Sequence, residues 1–583
     1  MNIRSLLLGF IALMLVSCGG SNKRDPLEGL REGKGGINYG GVFHTNEVEY
    51  LRSLYPPNIG EVIGFRIASQ CYEGLVRFST KDLSITPCIA ESWDIDSTAT
   101  KYTFYIRKGV YFQDDECFEK GKGREVTAKD IKWCFDKICE SDPLNQGFWV
   151  FKDRVVGANE YFQSTVDKDP LEGGVEGIKV IDEYTLEIRL EKSFASFLGV
   201  LGTQYGYIYP IEALDNYGID LNTRKCVGTG PFILKELSVD ENVILVRNEN
   251  YWGKDEFGNQ LPYLDAIKFS FIKELQSEFF EFVKGNLEFT YLPILIRDQV
   301  VDENMNLKGS YDRFNISKAA AMVIQYYGFQ HQHELFKNKL IRQAFNYAVD
   351  RDKIVKHTLK GDGIPAFSGI VPPAFTDYNI ESVKGYNYDP DKAKKLLSEA
   401  GYPNGEGFPK VTLQLNSGGS KNFYVAEAIK KMLEDNLNIN IGYRLLPMAQ
   451  HYENVENGKC NFWRAGWLAD YPDPENFLTL LYGPHVPKDP TMNSYVNSVR
   501  YQSAKFDSIF NQALQTIDKD KRYQLYSMAD QVAMNDAAIM PLFYEERYRL
   551  THKHVQNFNI NAQDFRDYKV VYFKQDKEQL ADR

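Results

Sequence analysis

The run Arg464-Ala-Gly-Trp-Leu-Ala-Asp-Tyr-Pro-Asp-Pro474 is the stretch from which the chain is best read. Proline lacks an amide hydrogen and fixes φ, so Pro472 and Pro474 prevent this run from continuing as a helix. The Trp467–Pro472 run around the carboxylate of Asp470 therefore reads as a rigid loop, with the guanidinium of Arg464 six residues before that carboxylate. Working outward, α and β patterns alternate. Tyr102-Thr-Phe-Tyr-Ile106 and Thr185-Leu-Glu-Ile-Arg-Leu190 show the period-2 alternation of strands. Asn242-Val-Ile-Leu-Val246 reads as a strand buried on both faces or nearly so. Thr127-x-x-Asp130 opens a helix as a capping box, and Ile131, Cys134, Phe135 and Ile138 follow at helical spacing. Asp389-Pro390 supplies a cap and an N1 proline, and Gly401 ends that helix. Another helix is predicted from about Lys339 to Val349. No internal repeat interrupts this order, and the spacing suits an α/β protein of several sub-lobes.

Composition narrows the function classes. The chain has 583 residues, enough for about four domain-sized units or two large lobes. Hydrophobic residues at 43% and charged residues at 25% exclude wholesale disorder. A net charge of −11 argues against a nucleic-acid binder, which needs a basic face. Aromatic residues make up 14%, enough to fill a large core or to line clefts.

The N-terminus reads as a processing signal. Arg4 precedes the apolar run Ser5–Val16, which is too short to span a bilayer. Leu15-Val-Ser-Cys18 resembles the bacterial lipobox, so residues 1–17 are expected to be removed and Cys18 acylated. Residues 18–36, rich in glycine and charge, are expected to form a flexible tether reaching about 20–25 Å. Two or more acyl chains at about 0.8 kcal/mol per methylene would hold the protein on a membrane.

Chemistry-bearing motifs are scarce. No GxxxxGK[ST], GxSxG or HExxH occurs. His331-Gln-His-Glu334 reads as a solvated polar stretch. His552 and His554 face one side of a strand, but two ligands make a poor metal site. No catalytic residue, metal or cofactor is therefore expected. With Cys18 spent on lipid, seven cysteines remain and no CxxC pair occurs. Cys134 and Cys139 are read as packing residues; a disulfide among the others is allowed outside the cytoplasm but cannot be paired from spacing.

Several ordered segments resemble family five of the bacterial extracellular solute-binding proteins, the oligopeptide and dipeptide receptors of ABC importers. They are Gln70–Val76, Pro87–Trp93, Tyr102–Phe112, Val126–Asp130, Gly228-Thr-Gly-Pro-Phe232, Arg247-Asn248 with Tyr251-Trp252, Ile341–Arg351, Tyr388–Pro403 and Arg464–Pro474. The resemblance implies a two-lobed periplasmic-binding-protein fold of the type II, cluster C-like kind, with an extra sub-lobe and a hinge. Lobe I would comprise 37–72, 206–320 and 547–583, the sub-lobe 73–205, and lobe II 321–546.

The resemblance also assigns a site. Asp470 would pair with a peptide α-ammonium, and Arg464 would lie near the peptide carboxylate. The backbone of Gly466 and Leu468 would bond the ligand, with Trp467 walling a side-chain pocket. Glu61 and Val62 would contact ligand as a strand edge from the opposite lobe; Phe148 or Trp149 would be an aromatic cleft residue, and Lys421 would meet the ligand's C-terminus. Some relatives carry a disulfide-bonded cysteine where this chain has Leu468. Burying a short peptide requires pairing both end charges and satisfying its amides, most readily as an added strand. The expected function is a lipid-anchored monomer of the periplasm or cell envelope. It captures short peptides in an interlobe cleft and delivers them to an inner-membrane ABC permease. The same fold binding a metal chelate, haem, an oligosaccharide or a signalling peptide is the alternative, and a secreted hydrolase is a third reading.

Overall fold

The structure is a computed structural model that describes residues 25–48, 51–221, 224–238, 241–302, 304–417 and 420–574. The signal segment 1–17 and Cys18 lie outside the described residues. The predicted tether does not stay free along its whole length. Arg31–Glu32 pairs antiparallel with Asn38–Tyr39, Leu27 and Leu30 lie against the core, and the Lys34 amide donates to Asn259 Oδ1 at 2.9 Å. The apolar pair Leu27/Leu30, set among glycines and charges, is what docks this segment.

Three sheets organise the body. A four-stranded sheet runs Phe232–Ser238, Asn242–Arg247, Ala266–Ser270, Val42–Asn46, with the last pair parallel. Its second strand alternates rather than being buried on both faces: Val243 and Leu245 are fully buried while their neighbours are half-exposed, as in an antiparallel sheet with one face toward water. A second four-stranded sheet runs Ala90–Ile95, Lys101–Ile106, Thr185–Arg189, Ile178–Asp182 and buries Tyr102, Phe104, Leu186 and Ile188. The third sheet runs Phe289–Tyr291, Ile539–His552, Phe314–Phe329, Phe462–Leu468, Val411–Asn416, Ile441–Leu446.

Helix starts follow local chemistry. Thr127 and Asp130 form the capping box of Ala128–Ile138. Asp389 accepts from the Lys392 amide ahead of Pro390–Glu399, and Gly401 takes a positive φ of 101° after it. The helix expected near 339–349 spans Lys339–Tyr347, with Ile341, Ala344 and Phe345 buried.

Two strands of the third sheet are unusually long and join two cores. Phe314 and Leu550 sit in one hydrophobic cluster, whereas Phe329 and Leu542, at the other ends of the same strands, sit in another. Between those ends the pairing slips: Ala320 faces Glu546, but Ile324 faces Tyr544. Such a bulge bends a ladder and raises its twist. The arrangement is the two-lobed mixed α/β fold that the sequence motifs implied.

Two further expectations need qualifying. The stretch 331–334 is exposed or half-exposed as expected, but His331 is also held by the fold: it packs edge-on to Tyr501, bonds Ala538 O at 2.8 Å through Nε2, and burial pulls its pKa down to about 3. Glu61 and Val62 are not a strand edge. Glu61 is the N-cap of the helix Val62–Cys71, because Pro56 and Pro57 turn the chain just upstream and an apolar 3.6-period face starts at Ile63.

Candidate functional site

The strand Phe462–Leu468 pairs with Val323–Phe329 along its whole length, but on its other side only Phe462 and Trp463 are paired, with Leu413 and Gln414. From Arg464 to Leu468 that side is an open edge. Strand residues direct N–H and C=O alternately to the two sides. Ala469 N donates to Met322 O at 3.0 Å, so odd-numbered residues here face the paired side. Arg464 O accepts from His451 Nε2 at 3.1 Å on the opposite side. Burial holds His451 down at about 4, which keeps the ring neutral, and Gln414 Nε2 occupies its Nδ1 at 3.2 Å. By the same alternation, the backbone groups of Gly466 and Leu468 point to the open edge, where an extended guest could add as a strand. A Cβ on Gly466 would sit 2.8 Å from Gln325 Oε1, so any larger residue there would displace the amide that holds Arg464.

Asp470 stands two residues beyond this edge. Its amide donates to Asn476 Oδ1 at 3.1 Å, and the same oxygen accepts from Trp467 Nε1 at 2.8 Å. Asn476 is buried in the first turn of the helix Glu475–Leu478, so it clamps the loop from beneath. The Asp470 carboxyl has one weak partner, Asn476 Nδ2 at 3.5 Å, and no cation pairs with it among the described residues. Water reaches this side chain, yet surrounding protein raises its pKa to about 6 by desolvation. Both hold together for a group on the wall of a cleft and not for one on a convex surface. Tyr205 and Tyr495 lie close enough to feel its charge, and Trp149 packs edge-on to Tyr205 with ring centroids 5.8 Å apart.

Further buried carboxylates lie just beyond. Desolvation raises Glu475 to about 7, opposed chiefly by the nearby Arg154 guanidinium, and the Tyr471 hydroxyl donates to Glu475. Asp473 is also raised by burial and faces Arg522, 3.7 Å away.

At the other end, Arg464 is held by neutral groups. Nη1 donates to Asn416 Oδ1 at 3.1 Å and Nη2 to Gln325 Oε1, and no carboxylate pairs with it among the described residues. Lys421 lines the same recess as Arg464, but its ammonium is engaged by Asp362 Oδ2 at 2.9 Å, with Arg297 on that carboxylate's other oxygen at 3.5 Å. Phe148 stacks on Phe162 at 4.1 Å, whereas Trp149 is linked to the Asp470 neighbourhood through Tyr205. Glu61 pairs with Arg52 at 3.4 Å, and Val62 is exposed beside it. The structure thus gathers Arg464, Gly466, Trp467, Leu468 and Asp470 on one strand-and-loop element, with Trp149 and Lys421 at its margins. Sequence reading missed Gln325, Asn416, His451 and Asn476; only Asn476 carried a signal, lying at a helix start that Asp473-Pro474 announces.

The sequence pattern of the family described as "Bacterial extracellular solute-binding proteins, family 5 Middle" matches residues 84–488, more than two thirds of the chain. The chain belongs to that family. It is 28% identical over 551 residues to Heme-binding protein A of Haemophilus influenzae, covering 92% of this chain and 93% of that protein. It is 26% identical over 526 residues to the dipeptide-binding protein DppE of Bacillus subtilis, covering 88% and 89%. Among solved structures, the ABC transporter-associated periplasmic binding protein DppA of Helicobacter pylori, in complex with the peptide STSA, superposes with a TM-score of 0.74 at 26% identity, covering 92% of this chain and 99% of that one. Among the described residues of this family member, no helix is long and apolar enough to cross a membrane.

Proposed function

We propose that this protein is the substrate-binding component of an ABC importer and captures short peptides along the open edge of 464–468. The observation that carries the reading is the pair of uncompensated charges bracketing that edge. Asp470 has no cation and Arg464 no carboxylate among the described residues, and a peptide brings one of each. Six residues of strand and loop span at most about 20 Å, the length of an extended peptide of about five or six residues. The backbone of Gly466 and Leu468 would bond any such peptide regardless of its side chains. Trp467, Trp149 and Tyr205 would wall the gap near the amino end. Lys421 would reach a carboxylate only by releasing Asp362.

Around this site the lobes would be 37–72 with 206–320 and 547–583, and 321–546, with 73–205 as the sub-lobe. Cys18 would carry the acyl chains that keep the receptor at the membrane, where it would deliver peptide to a permease as a monomer without catalysing any reaction. Support comes from the family, from the lipobox-like sequence, and from relatives named for di- and oligopeptide binding.

Calorimetry tests the reading. Tri- to pentapeptides should bind with micromolar or tighter affinity, and both N-acetylation of the peptide and Asp470→Ala should abolish it. Equal affinity for free and acetylated peptide would reject the role given to Asp470. A haem titration belongs beside it, because one relative is named for haem: a Soret shift that saturates at one equivalent, with no heat from peptides, would favour that ligand instead.

A further inference from the structure

Seven cysteines fall within the described residues, all buried and all present as thiols. Five are placed among groups that are not cysteines: Cys88 against Glu73, Cys134 against the Tyr209 backbone, Cys139 near Asp136, Cys117 beside Asp115, and Cys460 near Arg444. Cys71 and Cys226 differ: they act on each other, and the chain that leaves Cys226 packs within two residues onto the Cys71 backbone.

The backbone around them leaves little room for the pair to separate. Gly230 N donates to Cys71 O at 2.8 Å. Gln113 Nε2 is shared among the carbonyls of Cys71, Gly230 and Phe232. A Cβ on Gly228 would lie 2.3 Å from Cys71 O and one on Gly230 2.5 Å from the Cys71 carbonyl carbon, so the Gly228–Pro231 turn lies directly on the end of the helix Val62–Cys71. This junction is also a neck. The chain leaves the helix at Cys71, builds the sheet containing Ala90–Ile95 and Lys101–Ile106, and returns at Cys226 to enter the strand Phe232–Ser238.

We propose that Cys71 and Cys226 are oxidised to a disulfide that staples this neck in the mature, exported protein. Each thiol gives up its hydrogen, one S–S bond forms, and two electrons with two protons pass to a protein disulfide of the extracytoplasmic space, which is reduced to a dithiol. Contact with Cys226 and burial hold the Cys71 thiol well above its ordinary pKa. The folded neck is therefore slow to react, and oxidation belongs to the stage of folding before it packs. The crosslink would hold both chain passages at the base of the sub-lobe, leaving relative lobe motion to the long strands Phe314–Phe329 and Ile539–His552.

Trypsin gives a direct test, because it cuts after Arg66, Arg77, Lys225 and Lys235 and so isolates each cysteine in its own peptide, 67–77 and 226–235. Protein exported to an oxidising compartment, quenched in acid, denatured with N-ethylmaleimide and digested without reductant should yield those two peptides joined. Reduction before alkylation should replace the joined species with two singly labelled peptides. A parallel melt reads the stapling: reductant should lower the wild-type midpoint by several degrees and leave the Cys71→Ser/Cys226→Ser double variant unmoved. Recovery of both peptides singly labelled without reduction, or of either one joined to a different cysteine, would overturn the proposal. So would a wild-type midpoint indifferent to reductant.

Discussion

Asp470→Asn should make the empty protein more stable and the receptor far weaker, and the two effects have one cause. In the folded, empty protein the carboxyl is raised from 3.8 to about 6 by desolvation, with no cation to offset it. A group whose folded pKa exceeds its unfolded value favours the folded state while protonated, and that contribution is lost as pH rises through the folded pKa. Above pH 6 the ionised carboxylate therefore destabilises the empty fold. About two pH units correspond to about 3 kcal/mol, and because water reaches this side chain the effective figure is nearer 1. Asn keeps the shape and removes the charge, so the variant's chemical-denaturation midpoint at pH 7.5 should rise. Binding moves the other way, since a peptide ammonium left opposite a neutral amide loses about 3 kcal/mol or more, at least a hundredfold in Kd.

The pH profile separates this account from a purely structural role. If Asp470 pairs with the peptide ammonium as proposed, binding requires the ionised carboxyl, so affinity should fall about tenfold between pH 7.5 and 5 for a free pKa near 6. Glu475, which titrates near 7, and Asp473 stand close by, so the variant is the necessary control. In Asp470→Asn the residual affinity should be nearly flat over that range. Isothermal calorimetry at several pH values, with urea melts of the empty proteins, supplies every quantity. A variant less stable than wild type, or one whose binding keeps the full pH slope, would refute the reasoning.

Arg464→Gln should weaken peptides with a free carboxylate by about thirtyfold, roughly 2 kcal/mol, and leave C-amidated peptides unchanged; a uniform loss for both would assign Arg464 to scaffolding alone. Gly228→Ala places a Cβ 2.3 Å from Cys71 O, backbone against backbone, and should cost about 3 kcal/mol in a urea melt, while a change below about 1 would show that the turn can yield. Asp564 is buried among Arg566, Arg66 and Arg547, whose charges hold its carboxyl far below the usual range despite burial. Its contribution is therefore present above about pH 4 and lost as pH falls below that. Asp564→Asn should cost about 3–5 kcal/mol at pH 7, and the gap to wild type should narrow in acid melts.

Local chemistry was legible wherever one residue decides it: the Thr127/Asp130 capping box, the Asp389-Pro390 start and the Gly401 stop depend on neighbours within four positions. The strand at 242–247 was misjudged because an unbroken apolar run does not reveal which face meets water; its antiparallel partners decide that. The half-burial of His331 was hidden for a similar reason. The polar residues around it do meet solvent, but Tyr501 and Ala538, far along the chain, cover one side of its ring. At the site, the motif 464–474 named its own charged ends. The groups that hold them, Gln325 and Asn416 on neighbouring strands, are ordinary polar residues whose spacing carries no mark. The Cys71–Cys226 contact is the extreme case, since only the fold brings residues so distant in sequence together.

The position of Asp470 relative to the long strands gives the proposed capture a route to lobe movement. Ala469 hangs from Met322 O, and Met322 N donates to Ala562 O at 2.9 Å. Met322 lies inside the slip between Ala320 and Ile324, where the ladder joining the two cores is least regular. Gln563 Nε2 adds a third link, to Ala469 O at 3.2 Å. A ligand can shift a conformational equilibrium only by the difference in its affinity for the two states. An empty, closed cleft would desolvate the Asp470 carboxylate with nothing to offset it, whereas a bound ammonium removes that penalty in the closed state alone. Under the proposed capture, the same unpaired charge that would recognise the guest would oppose closure without it, and the bulged strands beside Ala469 would be placed to transmit that difference.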